Sequence, residues 1–162
     1  MISMRQNFWK LLVVLVCLGF PWVGVQAQSD EGIIQYRQKV MQSHSANLGA
    51  IGHILKYRLP HQSHIVTHAR ELMMTSMLIG EAFKKEVTAG KTDSKPEIWK
   101  DWAKFEAAAK ATEKESAKLA EVAQSGDMAA IGTQMKKLAK SCGGCHKPFR
   151  KPKKDSYKQM AK

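Results

Sequence analysis

The sequence predicts an all-α protein, a single antiparallel up-and-down four-helix bundle. Four segments repeat apolar residues at intervals of three and four, the spacing of one helix face. No segment between them alternates apolar and polar residues as a half-buried strand would. The connections are short and contain Pro60, a polar run at residues 88–93, and Gly126. Short connections favour antiparallel neighbours, and 162 residues suffice for one compact domain.

Residues 1–27 are expected to be a signal peptide rather than part of the bundle. Arg5 and Lys10 give this stretch a positive start, and residues 11–25 form a short apolar run before a small-residue cleavage site. The run is short for a membrane span, although an uncleaved anchor remains the alternative. We therefore expect an exported chain whose single domain covers residues 28–162.

The first helix is predicted over residues 32–58 and is ended by Pro60. A neighbouring row of this helix carries Arg37 and His44, where a plain core helix would be apolar. Something other than hydrocarbon is therefore expected to lie against that row. The apolar residues of the main seam recur every seven positions: Ile34, Met41, Leu48 and Leu55.

The second helix is predicted over residues 63–87, followed by a polar loop. The third opens at residues 94–97, where Ser-Lys-Pro-Glu matches a capping box with proline in the first turn, and Gly126 ends it. Both helices keep one apolar row. The row of the third helix consists of Trp102, Phe105, Ala109, Thr112, Ser116, Leu119 and Ala123.

The fourth helix is predicted to begin after Asp127, a favourable N-cap. Pro148 is expected to end or distort it, which leaves a basic, frayed tail from about residue 151. Two cysteines share the core-facing stripe of this helix. The stripe consists of Met128, Ile131, Met135, Leu138, Cys142 and Cys145.

The cysteines belong to the run Cys142-Gly143-Gly144-Cys145-His146, whose C-x-x-C-H spacing is typical of c-type haem attachment. On a helix the two thiols and the imidazole lie at i, i+3 and i+4 and share one face. A thioredoxin-like pair would need a βαβ context, and a zinc site would need two further ligands at matched spacing. Neither pattern is present. The fold prediction therefore becomes a four-helix bundle with one covalently bound haem c, with His146 as the proximal iron ligand.

The net charge limits the classes of partner. The chain carries 26 Lys and Arg against 14 Asp and Glu, and without Arg5 and Lys10 the balance is 24 against 14, or +10. Such a surface favours acidic redox proteins and, as a second option, an anionic membrane surface. Nucleic acid is not expected, because the chain is exported and its basic residues form no stripe interleaved with aromatics. Residues 150–154 (RKPKK) form the densest candidate docking patch.

The haem motif near the end of a four-helix bundle, followed by Phe149-Arg150, resembles the class II c-type cytochromes. This family comprises cytochrome c′ and low-spin relatives of the cytochrome c-556 type. The resemblance covers essentially all of the mature chain, with Pro148 as a departure from a helix-compatible position. Three further stretches carry it: Tyr36-Arg37-Gln38, Pro96-Glu97-Ile98-Trp99 and Ser125-Gly126-Asp127.

The resemblance implies a distal iron ligand at Met41. The position five residues after the tyrosine is a ligating methionine in the c-556 branch, whereas in cytochrome c′ it is an apolar residue that leaves the iron five-coordinate. A thioether ligand favours ferrous iron and raises the reduction potential. His44, one turn further on, is the rival ligand. The resemblance also places Arg37 and Arg150 close to the haem, where guanidinium groups could pair with propionates or cover the haem edge.

The sequence thus predicts a periplasmic monohaem cytochrome that carries single electrons through a low-spin His/Met haem. The alternative is a five-coordinate protein that binds or senses nitric oxide or carbon monoxide. A peroxidase-like activity would need an open iron and a distal acid–base residue, for which His44 alone is a weak argument. No catalytic triad, paired carboxylates or phosphate-binding loop is present, so an enzyme is not expected. The resemblance adds a homodimer through the first two helices.

Overall fold

A computed structural model describes residues 29–160, and these residues form the predicted four-helix bundle. The signal peptide predicted over residues 1–27 lies outside the described residues. Within residues 29–160 there is no strand, and no helix is long and apolar enough to cross a membrane. The helices are α1 (Asp30–Tyr57), α2 (His64–Ser76), α3 (Leu78–Ala82), α4 (Glu97–Lys100), α5 (Trp102–Ala123), α6 (Met128–Phe149) and α7 (Tyr157–Met160), with a 3₁₀ turn at Lys153–Asp155.

The first helix begins and ends with regular caps. The Ser29 hydroxyl accepts a hydrogen bond from the Gly32 N–H, and two acidic residues in the first turn complement the helix dipole. At the other end Arg58 adopts the left-handed conformation, with φ of 50°, and its N–H donates to the Ile54 carbonyl. The predicted range of 32–58 is therefore correct to within two residues.

The second predicted helix, residues 63–87, is wrong as a continuous element. It breaks at Met77 and ends at Ala82, so that α2 and α3 are separate. The hydroxyls of Thr75 and Ser76 donate to carbonyls one turn back, which competes with the helix ladder. Beyond Ala82 the backbone carbonyls bond the side chain of Arg37 instead of continuing the helix.

The capping box predicted at residues 94–97 is also wrong. Ser94 forms an isolated antiparallel bridge with Arg150, and no side chain caps α4. The long helix α5 is capped by Asp101, whose carboxylate accepts from the Lys104 N–H at 3.2 Å. The bridge is the reason for the difference, because the backbone of this region pairs with the end of α6 rather than starting a helix at once.

The fourth helix agrees with its prediction. Gly126 has a positive φ of 71° after α5, and the Asp127 carboxylate accepts from the Ala129 and Ala130 N–H groups. Pro148 lies in the last turn of α6, which ends one residue later at Phe149. Proline removes one backbone donor there and crowds the preceding turn, in keeping with the end of the helix directly after it.

The C-terminal segment (residues 151–160) is not frayed, contrary to the sequence prediction. It contains the 3₁₀ turn and α7, and Ser156 within it is only 6% exposed. The Lys151 N–H donates to the Asp93 carbonyl at 2.8 Å, and the Ser156 hydroxyl donates to the Asp93 carboxylate at 2.9 Å. A basic stretch is held here because one acidic loop residue accepts its backbone and side-chain donors.

Two apolar clusters fill the bundle. The aliphatic cluster consists of Ile51, Ile54, Ile65, Ala69, Leu72, Leu119, Ala120, Ala123, Ile131 and Leu138. The aromatic cluster consists of Val40, Ile79, Ala82, Phe83, Ile98, Phe105, Ala109 and Phe149. Between them along the helices lies a polar layer, which consists of His44, Asn47, Ser76, Thr112 and Ser116. The functional residues lie around the aromatic cluster.

Candidate haem site

The two cysteines lie on α6 where the two apolar clusters meet. Cys142 packs against the aliphatic cluster and Cys145 against the aromatic cluster, and both side chains are free and half-buried. A Cβ placed on either intervening glycine would meet no heavy atom within 4 Å. The helix surface between the thiols is therefore open, as attachment of a planar group to both would require.

The environment keeps both thiols protonated at neutral pH. Burial raises the pKa of Cys145 to about 11, and the neighbouring Cys142 adds to the shift. Burial also raises the pKa of Cys142, against the opposing effect of a hydrogen bond from Ser141. These are inert, half-buried thiols rather than activated nucleophiles.

His146 follows directly and is exposed on one side. Partial desolvation lowers its pKa, and electrostatic interactions with Arg150 and His44 lower it further. The imidazole is therefore neutral at pH 7, which is the form that can bind a metal.

A cavity of about 310 Å³ separates α1 from α6 beside the motif. Met41 from α1 and His146 from α6 both line it. Backbone contacts between these two helices are far sparser than between the other neighbouring pairs of long helices, α1 with α2, α2 with α5 and α5 with α6, and this leaves space between them. The apolar part of the wall is formed by Ile34, Phe83, Ile98, Phe105 and Phe149.

Met41 is half-buried and packs against the aromatic cluster. It lies in the cavity wall with no polar partner of its own, because a thioether is only a weak acceptor. The structure thus brings together the methionine and the histidine that the sequence singled out, from opposite ends of the chain.

His44 lies in the polar layer, and both its ring nitrogens have protein partners. Nδ1 lies 2.9 Å from the Val40 carbonyl, which can only accept, so Nδ1 carries the proton. Nε2 lies 3.0 Å from the Ser76 hydroxyl, which in turn lies 2.8 Å from that of Ser116. His44 does not line the cavity. To bind a metal it would have to leave this network.

Arg37 is 2% exposed and is bound by protein groups rather than free for a ligand. Its Nε donates to the Ala82 carbonyl at 2.8 Å, and its two terminal nitrogens donate to the Val87 and Lys85 carbonyls. The guanidinium also stacks between the rings of Phe83 and Trp99, about 5 Å from each centroid.

Desolvation lowers the pKa of Arg37, opposed by Asp30, but an arginine this basic stays charged. It therefore holds the loop after α3 against α1 and supports one wall of the cavity.

Arg150 is the freer of the two arginines. Its side chain is half exposed, lines the cavity and lies 3.8 Å from the Asp93 carboxylate. A pair this long and this exposed contributes little stability, so the guanidinium can turn toward a carboxylate ligand at small cost.

The residues present fit a haem group. A neutral imidazole and a thioether line one largely apolar cavity, and two free thiols precede that imidazole by four residues and by one residue on the same helix. This donor set is the one used by His/Met-ligated c-type haem. Sequence reasoning did not find Asp93, Tyr157 and Lys158, which also line the cavity. In the sequence, the one indication of these residues is an acidic residue within a polar loop. The contacts between this loop and residues about 60 positions later cannot be predicted from local sequence patterns.

Comparisons with known proteins give matches along most of the chain. The family model described as cytochrome C′ matches residues 32–150. Cytochrome c′ of Rhodospirillum rubrum is 35% identical over 127 residues, which cover 77% of this chain and 86% of that protein. Cytochrome c-556 of Rhodopseudomonas palustris is 28% identical over 151 residues, covering 87% and 96%.

Among solved structures, the nitric oxide complex of a mutant cytochrome c prime from Alcaligenes xylosoxidans superposes with a TM-score of 0.71. Its sequence is 27% identical, and the match covers 79% of this chain and 100% of that one. The family match begins in α1 and ends at Arg150, so the C-terminal segment lies beyond it.

Proposed function

Because the chain belongs to the cytochrome c′ family, whose members carry a single covalently attached haem c, we propose that it is a periplasmic electron carrier with a low-spin His/Met haem. Cys142 and Cys145 would form the two thioether links, and His146 would be the proximal ligand. The bound group supplies a one-electron change between ferric and ferrous iron. The chain's residues hold it, orient it and limit its exposure to water.

The observation that carries this proposal is that Met41 and His146 line one cavity from opposite helices. A soft thioether opposite a neutral imidazole favours the reduced metal and fills the position that a diatomic gas would need. His44 is the weaker distal candidate, because both its ring nitrogens are engaged in the polar layer. Arg150 would face a propionate, whereas Arg37 would act by holding the loop after α3.

Electron transfer needs a partner, and the basic surface favours an acidic redox protein. In the docking patch at residues 150–154, the Lys151 ammonium donates to the Thr92 carbonyl, so the exposed cations are Arg150, Lys153 and Lys154. The proposal places the protein outside the cytoplasm and assigns it no substrate turnover.

Met41→Ala tests the proposal most directly. Loss of the thioether should convert the haem from low spin to high spin and allow carbon monoxide to bind, since no other described residue in the cavity wall offers a soft ligand. Absorption spectra of the ferric and ferrous holoprotein, with and without carbon monoxide, measure this. Met74→Ala is the matched control, because Met74 is 60% exposed on α2. An unchanged low-spin spectrum in Met41→Ala would remove Met41 from the iron.

The second candidate is gas binding. The nitric oxide complex of the Alcaligenes xylosoxidans protein supports it, together with the similarity of this chain to cytochromes c′. A wild-type spectrum that is high spin and shifts with carbon monoxide would select this function over electron transfer.

We also propose a homodimer through α1 and the α2–α3 region. Exposed apolar side chains on these elements support it: Tyr36, Met74, Met77 and Leu78. Tyr36 and Leu78 line one shallow groove between the start of α1 and α3. Sedimentation velocity at micromolar concentration should give a dimer that Tyr36→Asp dissociates, and a monomer at all concentrations would refute it.

A further inference from the structure

The C-terminal segment is fixed to the loop between α3 and α4 by several hydrogen bonds. The Asp93 carboxylate accepts from the Ser156 hydroxyl at 2.9 Å and from the Tyr157 N–H at 3.0 Å. The Asp93 carbonyl accepts from the Lys151 N–H at 2.8 Å, and the Thr92 carbonyl accepts from the Lys151 ammonium at 3.1 Å. Four contacts from two successive loop residues define the path of the segment.

This attachment places Tyr157 and Lys158 in the wall of the haem cavity, which Met41 and His146 also line. Tyr157 is half-buried, and the Lys158 ammonium lies 5.9 Å from the centre of its ring. The segment therefore covers one side of the cavity with an aromatic ring and brings a cation to its rim. It does so outside residues 32–150, the part of the chain that the family model matches.

The charged groups around the cavity indicate which kind of ligand group the Lys158 ammonium could pair with. Asp93 is the single carboxylate among the described residues that line it, and its oxygens are already occupied by the segment and by Arg150. Of the lining Lys and Arg side chains, Arg37 is bound to three carbonyls. Arg150 and Lys158 remain able to pair with an anionic ligand group, and the two propionates of a haem are carboxylates.

We propose that the C-terminal segment closes the haem cavity and that Lys158, beside Arg150, supplies a positive charge for the haem propionates. Asp93 is the positioning residue, because it accepts hydrogen bonds that hold the segment in place and does not itself pair with the propionates. The inference rests on the proposed function only in assuming a bound haem c.

The first experiment measures the midpoint reduction potential of the full-length holoprotein in Lys158→Gln, against Lys154→Gln as the matched control. Lys154 is an exposed lysine of the same segment and does not line the cavity. Loss of a cation near the haem favours the more positive ferric state, so Lys158→Gln should lower the potential. Lys154→Gln should leave it nearly unchanged. Equal shifts in the two variants would overturn the role of Lys158.

The second experiment measures amide hydrogen exchange of residues 151–160 in the same holoprotein. Asp93→Asn removes a charged acceptor of two hydrogen bonds, so exchange in the segment should accelerate by roughly tenfold or more. Asp155→Asn, an exposed carboxylate of the segment, should have no such effect. Ser156→Ala provides a second test if Asp93→Asn folds poorly. Unchanged exchange in a folded variant of either kind would overturn the closure.

Mass spectrometry of the exported wild-type protein distinguishes a failure of the proposed function from a failure of this inference alone. Absence of covalent haem would refute the proposed function, and the role of Lys158 with it. A haem-loaded protein whose potential does not respond to Lys158→Gln, or whose segment exchanges freely, would refute this inference alone.

Discussion

The two halves of the bundle are built differently. The aliphatic cluster is formed by long, continuous helices whose isoleucines and leucines interlock with almost no exposure, as at Ile51, Ile65 and Leu119. The aromatic cluster is formed by Phe83, Phe105 and Phe149 at helix ends and breaks, with ring centroids 5.3 to 5.4 Å apart. One half is closed, whereas the other must leave a cavity.

The difference between the two halves shows which structural features leave space for a cavity in a helix bundle. Helices that interlock along their whole length leave no space, so the site half is made of shorter pieces, a loop and a buried arginine. Flat, rigid aromatic rings line the space without collapsing into it, because they have few rotamers. Between the halves the polar layer connects α1, α2 and α5 by hydrogen bonds.

The largest effect is expected from truncation of the closed half. Leu119→Ala should lower the free energy of unfolding by about 3 to 5 kcal/mol, because a fully buried leucine leaves a cavity in tightly packed surroundings. The haem spectrum should not change. Ile98→Ala, a similarly buried residue that lines the haem cavity, is the comparison: it should also lose stability but should alter the spectrum. Urea unfolding and absorption spectra measure both, and identical spectral behaviour would contradict the division into two halves.

A smaller loss is expected from Arg37→Met. Three carbonyls would lose a charged donor, which should cost about 2 to 3 kcal/mol of the free energy of unfolding. The loop after α3 would loosen, and small ligands should then reach the haem faster, as stopped-flow mixing with carbon monoxide or imidazole would record. Arg70→Met, at an exposed arginine of α2, should change neither quantity. A stable variant with unchanged ligand kinetics would show that Arg37 does not support the cavity wall.

The smallest effect concerns the polar layer. Ser76→Ala would leave His44 Nε2 and the Ser116 hydroxyl without their shared partner, at a cost of about 1 to 2 kcal/mol. Thr75→Ala removes a less buried hydroxyl that bonds only its own helix, and it should cost less. Thermal unfolding of both variants gives the comparison. Equal losses would mean that the layer contributes nothing beyond ordinary helix hydrogen bonds.

Much of the fold could be predicted from the sequence because its causes are local. The four amphipathic segments, the Asp127 cap and the buried row from Phe105 to Ala123 follow from residue spacing within single helices. The C-x-x-C-H motif is also a pattern of neighbouring residues. It predicted the family and the covalent haem, and the comparisons confirmed both. The ligand roles of Cys142, Cys145, His146 and Met41 stay predictions.

Three features depended on tertiary contacts. The end of α3 at Ala82 and the ordered C-terminal segment each result from a polar side chain that binds distant backbone, and the late start of α5 at Trp102 follows from a backbone bridge to the end of α6. Arg37 looked like a candidate haem contact in sequence, whereas its donors are bound to carbonyls 45 to 50 residues away. Asp93 acts in the same way on residues 58 to 64 positions later.

The sequence by itself determined the helices, their apolar faces and the haem attachment motif, since periodicity and spacing are properties of neighbouring residues. Only the tertiary structure decided where the helices stop and which side chains close the cavity. The physical reason is that a long polar side chain bonds whichever carbonyl or amide the fold brings within about 3 Å, and that choice is made after the helices have packed.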